Sequence, residues 1–143
     1  MDLTIPVGDT VLNIRVALLI KNDQGYIFEK YNDEFCFVVG GRVKVGESSE
    51  EALKREVFEE LGISFSNFTL KSIIENFYLY NERTVYEICF VYQTEDIFEK
   101  DLGPEFLVCS KSEIADLNLR PEIMKKVILD DGKEILHLIV KNK

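Results

Sequence analysis

Short runs of β-branched and aliphatic residues, separated by polar turns, organise the first part of the chain. Asn13 to Ile20 is such a run, and after the turn Asn22-Asp23-Gln24-Gly25 a second one, Tyr26 to Glu29, follows, so the two read as a hairpin. A third run, Phe35 to Val39, ends at Gly40-Gly41. Glycine there permits backbone angles or close approaches that a side chain forbids, and a loop is expected to begin at the pair.

The pattern then changes period. Ser48-x-x-Glu51 has the form of a capping box, Leu53, Val57 and Leu61 recur every fourth residue, and Gly62 supplies a stop, which together predict a helix. Thr69 to Tyr80 and Thr84 to Thr94 are long segments full of Ile, Phe, Tyr and Val, separated by Asn81-Glu82-Arg83, as expected of paired antiparallel strands. Glu105 to Cys109 reads as a further strand and Ser112 to Leu117 as one helical turn. Pro121 is expected to open a helix reaching Leu129, and Glu134 to Val140 to close the chain as a strand.

A length of 143 residues with 46% hydrophobic content suits one domain, residues 1–143, with enough apolar surface for a core. A net charge of -9 repels duplex nucleic acid unless basic residues gather on one face, and no basic cluster is visible. A small phosphorylated ligand is still compatible, because divalent cations held by carboxylates invert the local charge. Cys36, Cys89 and Cys109 are too widely spaced for a disulfide framework or a paired metal motif, and their apolar neighbours predict buried, reduced thiols. The first residues lack a basic leader followed by a long apolar stretch, and Arg15 interrupts the only apolar run. No membrane association is therefore expected, and a reducing cytoplasm is the expected location.

Six glutamates, at 47, 50, 51, 56, 59 and 60, crowd the predicted helix and its approach. On a helix Glu56, Glu59 and Glu60 span an arc of about 100° beside the Leu53, Val57 and Leu61 stripe. Like charges at these spacings destabilise a helix by roughly 0.2 to 0.5 kcal/mol per pair. A bound cation resolves that conflict, since hard ions such as Mg²⁺ take carboxylates together with water and phosphate oxygens. A solvated acidic helix face is the plainer alternative.

The full spacing carries more information. From Gly41, GRVKVGESSEEALKREVFEELGI resembles the Nudix box at every defined position, filled by Gly41, Glu47, Arg55, Glu56, Val57, Glu59, Glu60, Gly62 and Ile63. One departure precedes it: Val39 stands where relatives often carry proline. The resemblance implies an α+β fold, an α/β/α sandwich around a mixed sheet. It also implies hydrolysis, assisted by Mg²⁺ or Mn²⁺, of the diphosphate linkage in a nucleoside diphosphate derivative. A fold of this kind that binds nucleotide without turnover is the alternative. By position, Glu56, Glu59 and Glu60 resemble the metal-binding carboxylates, and Gly40 and Gly41 are expected to give backbone contacts to substrate, Gly41 also to metal. Arg55 resembles the residue that orients one glutamate, so Arg55, Glu56 and Glu60 form the expected catalytic group. Glu47 is an outer metal ligand or a support of the loop. The general base is Glu56, Glu99 or Glu105, with Glu56 preferred.

Outside the box the substrate signals thin out. Phe77, Tyr78 and Leu79 lie where ADP-ribose hydrolases of the family often carry proline, and Tyr80 lies where dinucleoside polyphosphate hydrolases often show tyrosine. The extra motif of coenzyme A hydrolases is missing. Tyr80 is therefore the expected stacking partner for a base, against the plainer reading of aromatic packing within a sheet. His137, the only histidine, reads as a core or edge-strand residue, so neither a zinc site nor a Ser-His-Asp mechanism is expected. The expected partner is a small nucleotide-type molecule, and a homodimer is common among relatives.

Overall fold

A computed structural model describes residues 1–141. Its elements run β1 (Thr4–Val7), β2 (Thr10–Lys21), β3 (Tyr26–Tyr31), β4 (Phe35–Arg42), α1 (Ser49–Leu61), β5 (Thr69–Tyr80), β6 (Arg83–Ile97), β7 (Phe106–Cys109), a 3₁₀ turn (Lys111–Asp116), α2 (Met124–Leu129) and β8 (Leu136–Lys141). The strands form one sheet in the order β7-β3-β4-β2-β6-β5-β8, with β1 added on β2. The β2–β6 and β5–β8 pairs are parallel and the others antiparallel, which makes the sheet mixed.

Parallel central strands are covered on both faces, and the side-chain alternation of β2 shows how. Val16, Leu18 and Ile20 enter one core with Leu53, Val57 and Leu61 of α1. Ala17 and Leu19 enter a second core with Met124, Val127 and Ile128 of α2. Helix, sheet and helix therefore form three layers, the expected α/β/α sandwich.

Helix α1 follows its sequence signals closely. Ser48 Oγ accepts the Glu51 N–H at 3.1 Å, and Glu51 Oε1 accepts the Ser48 N–H at 3.0 Å. Gly62 ends the helix in the left-handed region at φ 69°, donating to Phe58 O. Ala52, Leu53, Val57 and Leu61 are buried beneath it. Each of the larger three contributes roughly 1.5–3 kcal/mol by leaving water.

Two expectations change. Gly40 and Gly41 do not open a loop; they lie within β4, opposite Ala17 and Val16 of β2. The pair serves close packing inside a strand. Pro121 does not start a helix either: residues 121–123 form a turn after a cis Arg120–Pro121 bond, and α2 begins at Met124. β1 had no clear sequence signal, and β2 and β6 extend further than their apolar runs. The β5–β6 turn narrows to Asn81 and Glu82, both at positive φ, as a two-residue hairpin requires.

β8 closes one end of the sheet, and His137 on it is largely exposed, with Nε2 2.5 Å from Glu75 Oε2. The edge-strand reading of this histidine fits. Buried Lys71 on β5 donates to Asp130 O, Asp130 Oδ2 and Gly132 O at 2.7–3.1 Å, tying the exit of α2 to the sheet. All three cysteines are free; Cys36 and Cys109 are buried and Cys89 is half-buried. Burial pushes the Cys36 thiol up to about 11 and that of Cys89 to about 12, so neither is a ready nucleophile. Among the described residues no helix is long and apolar enough to cross a membrane.

Candidate active site

The C-terminal end of β4 and the polar flank of α1 bring the box residues together. Arg55 is the organiser. Its Nε donates to Glu47 Oε2 at 2.6 Å, and its Nη2 to Glu47 Oε1 at 2.9 Å and to Arg42 O at 3.0 Å. Its Nη1 reaches Glu56 Oε1 at 2.9 Å and Glu59 Oε2 at 3.4 Å. Glu47 Oε1 also accepts the Lys44 N–H at 2.8 Å. With both oxygens engaged, Glu47 anchors Arg55 and the approach to α1, so of its two expected roles the supporting one fits. The Arg55 guanidinium holds the Glu47 carboxyl down at about 2.

The Glu56 carboxylate lies directly against the Gly41 backbone, in the space that a Cβ there would fill. Only glycine leaves that carboxylate its place. Gly40 has a different constraint: a Cβ on it would overlap the Val16 carbonyl and Ala17 Cα of β2. Gly40 is buried, so its visible role is strand packing rather than an open contact surface.

Glu60 points into the sheet beside Glu29 of β3, a residue that no motif of the sequence marks. Glu60 Oε2 is buried and has no hydrogen-bond partner. Burial, followed by Glu29 and Glu56, raises the Glu60 carboxyl well above the usual carboxylate range. Burial also raises Glu29; a hydrogen bond with Glu60, and then the charge of Arg15, oppose the shift, while Glu56 and Glu105 add to it. The signal that could have found Glu29 is a carboxylate directly after the core pair Ile27-Phe28, where burial is costly unless something shares the charge.

These residues fit a divalent cation. The donors are hard oxygens, and one of them is buried without a partner in a crowd of like charges. Among the described residues no three Asp, Glu, His or Cys side chains are already set around one point as an ion requires. The physical reason is visible: Arg55 engages Glu56, and the Glu59 side chain is 52% exposed. Mg²⁺ needs only one or two carboxylates, with water and phosphate oxygens completing its shell.

Of the other expected residues, Glu105 is exposed but within electrostatic reach of Glu29, next to the cluster. Glu99 is exposed in the loop after β6, against Asn22, Asp23 and Gln24, away from the box carboxylates. Tyr80 is 64% exposed, at the end of β5. It stands at the rim of a cavity of about 490 Å³ whose walls include Phe35, Phe37, Asn76, Tyr78 and Arg120. A smaller cavity of about 240 Å³ shares several of these walls and adds Arg15, Cys89 and Met124. Arg15 connects the regions electrostatically, acting on Glu29 of the cluster and on Glu87 of the cavities.

Comparison with known proteins places this three-layer fold among solved relatives. The NUDIX domain profile matches residues 11–135. The chain belongs to that family. Over 63 residues it is 33% identical to an RNA pyrophosphohydrolase of Blochmanniella pennsylvanica, a match that spans 43% of this chain and 39% of that relative. Its structure is similar to that of the mutator MutT protein from Bacillus halodurans, with a TM-score of 0.70 at 22% identity over 90% of this chain and 89% of that one. It is also similar to the Ap4A hydrolase of C. elegans, with a TM-score of 0.59 at 16% identity over 82% and 93% of the two chains. At such identities the structural likeness is one of fold.

Proposed function

We propose that this protein hydrolyses the diphosphate linkage of a nucleoside diphosphate derivative, with Mg²⁺ or Mn²⁺ held by Glu56, Glu59, Glu60 and the Gly41 backbone. The observation that carries this reading is Glu60 Oε2, a buried carboxylate oxygen without a partner, beside Glu29 and Glu56. A phosphoanhydride bond is common to the substrates named by the RNA pyrophosphohydrolase and Ap4A hydrolase relatives, which supports the choice of bond.

When bound, the divalent ion supplies charge neutralisation at the phosphate and a lowered pKa for water. The chain's own residues prepare the rest. Arg55 takes Glu56 Oε1 and leaves Oε2 as the oxygen assigned to ion binding or to accepting a proton from the attacking water. Glu47, gripped by Arg55 and by the Lys44 N–H, holds the guanidinium so that this orientation persists. Gly41 keeps the strand surface free of a side chain, and the Glu56 carboxylate occupies the space this leaves. Glu105 is the alternative base, beside Glu29, and Tyr80 at the cavity rim is assigned to the organic part of the substrate.

A panel of nucleoside triphosphates, oxidised nucleotides, dinucleoside polyphosphates, ADP-ribose and nucleotide sugars, each with Mg²⁺ and Mn²⁺, tests the proposal. The expected result is phosphoanhydride cleavage of at least one member, lost in Glu60→Gln. No product with either ion, together with no ion-dependent rise in melting temperature, would remove the basis for the reading.

A further inference from the structure

The turn that carries Glu47 to Arg55 has little packing of its own. Lys44, Val45, Gly46 and Glu47 form a reverse turn closed by the Glu47 N–H on Lys44 O at 3.0 Å. Gly46 takes φ 88°, the left-handed third position of a type II turn. Val45 is 61% exposed, and a Cβ on Gly46 would meet nothing within 4 Å. The turn therefore stands in solvent, yet its shape decides where the Lys44 N–H and the Glu47 carboxylate meet, and with them the Arg55 fork.

Backbone far away in sequence holds it. Beyond β4 the chain stays on β2 for one more residue, the Val43 N–H donating to Ile14 O at 2.9 Å. Residues 1–3 then pair with it antiparallel, Asp2 opposite Lys44. The Leu3 N–H donates to Val43 O at 2.8 Å, and the Val45 N–H to Met1 O at 2.7 Å. Leu3 is itself fixed: its carbonyl accepts the Ile14 N–H at 3.2 Å, and its side chain packs on the core beneath α1. Both rungs are backbone to backbone, so the pairing does not depend on the exposed side chains of Asp2 and Val45.

We propose that residues 1–3 are a positioning strand for the active site: by fixing Val43 to Val45 they set the Lys44–Glu47 turn, and through Glu47 the aim of Arg55 at Glu56. Each link is a hydrogen bond of 3.0 Å or less, from Met1 and Leu3 through the turn and Glu47 to Arg55 and Glu56. Without the two rungs the turn keeps only its own closing bond and the Val43 tie to β2, and Glu47 samples positions in which the fork is open. The effect on turnover rests on the hydrolytic reading above, whereas the effect on Arg55 belongs to the metal-free protein.

The test removes the rungs one at a time in the whole chain. Val45→Pro deletes one donor, and proline suits the second position of a type II turn, so a turn that mattered only for its own shape would be unharmed. Leu3→Pro deletes the other donor, and Asp2→Ala, which keeps both rungs, is the control. The first readout is solvent exchange of the Arg55 Nε–H by nuclear magnetic resonance in the absence of metal, with the amide of buried Leu53 as reference. Exchange at Arg55 should quicken at least about threefold in Val45→Pro and tenfold in the double proline variant, with Leu53 lagging well behind and Asp2→Ala at the wild-type rate. On the best panel substrate the double variant should lose about threefold or more in kcat, with KM within about twofold, because alignment of Glu56 rather than substrate binding is impaired. Unchanged Arg55 exchange, equal acceleration at Arg55 and Leu53, or a loss confined to KM overturns the proposal. If the double variant does not fold, Val45→Pro alone decides. A panel without any substrate sinks the proposed reaction only, and the exchange rates still decide whether residues 1–3 position Arg55.

Discussion

Arg55 grips Glu47 through two parallel hydrogen bonds, Nε to Oε2 at 2.6 Å and Nη2 to Oε1 at 2.9 Å, and turns its third nitrogen toward Glu56 Oε1 at 2.9 Å. A planar fork can hold one carboxylate and aim at another, which a lysine ammonium does not reproduce. Arg55→Lys should lower kcat by roughly 10- to 100-fold with a smaller effect on KM, since the fork positions Glu56 rather than binding substrate. Steady-state kinetics of the variant on the best panel substrate check this; a loss confined to KM would contradict it.

The same pair has an acid signature. Glu47 lies at about 2 in the folded protein against an ordinary value of 4.5. A depressed carboxyl stabilises the fold fully above 4.5, and that contribution disappears as pH falls from 4.5 toward 2. Melting temperatures measured across that window should drop more steeply for wild type than for Glu47→Gln. Parallel curves would show that the pair contributes nothing to acid stability.

Glu60 has the opposite sign. Its carboxyl is raised, so the folded protein favours the protonated form, and ionisation destabilises the metal-free fold as pH rises above the ordinary value of 4.5. Glu60→Gln should therefore stabilise the metal-free protein at neutral pH, by about 1–2 kcal/mol, while abolishing stabilisation by Mg²⁺. Urea unfolding with and without Mg²⁺ separates the two effects. A variant less stable than wild type without metal would refute the strained-carboxylate account.

The glycine pair should split into two phenotypes. A Cβ on Gly41 meets the mobile end of Glu56, so Gly41→Ala should weaken Mn²⁺ binding at least about tenfold with little change in melting temperature. A Cβ on Gly40 meets backbone of β2, and Gly40→Ala should cost roughly 1–3 kcal/mol of stability through overpacking. Calorimetric Mn²⁺ titration and urea melts distinguish these; identical behaviour of the two variants would dissolve the distinction.

Beneath the site, Leu53 is fully buried in the core shared by α1 and β2. Leu53→Ala should destabilise by roughly 2–5 kcal/mol. The denaturation midpoint measures it, and a loss below half a kcal/mol would mean that α1 is not anchored through this side chain.

Helix α1 was legible from residue order because its signals are local: Ser48 and Glu51 cap each other, the apolar stripe recurs at helical spacing, and Gly62 adopts the left-handed stop. The box carboxylates and Arg55 were legible for the same reason, being presented by one rigid helix. The existence and pairing of β5 and β6 also followed from composition and the intervening turn. Gly40 and Gly41 suggest a loop by sequence and pack inside β4 in the fold, because a glycine needed for a turn and one needed for close packing look alike until the neighbouring strand is known.

Glu29, Asn76 and Glu87 belong to the other class. Glu29 reaches Glu60 only because β3 joins β4 edge to edge under α1, and Asn76 meets Glu87 through the register of β5 on β6. Residue order by itself determined the capped helix, its acidic face, the family motif and the alternation that makes a three-layer fold, all of which depend on contacts within a few residues. The partnerless oxygens of Glu60 and Asn76 were decided by tertiary structure alone, because desolvation and charge crowding depend on distant strands that no local pattern specifies.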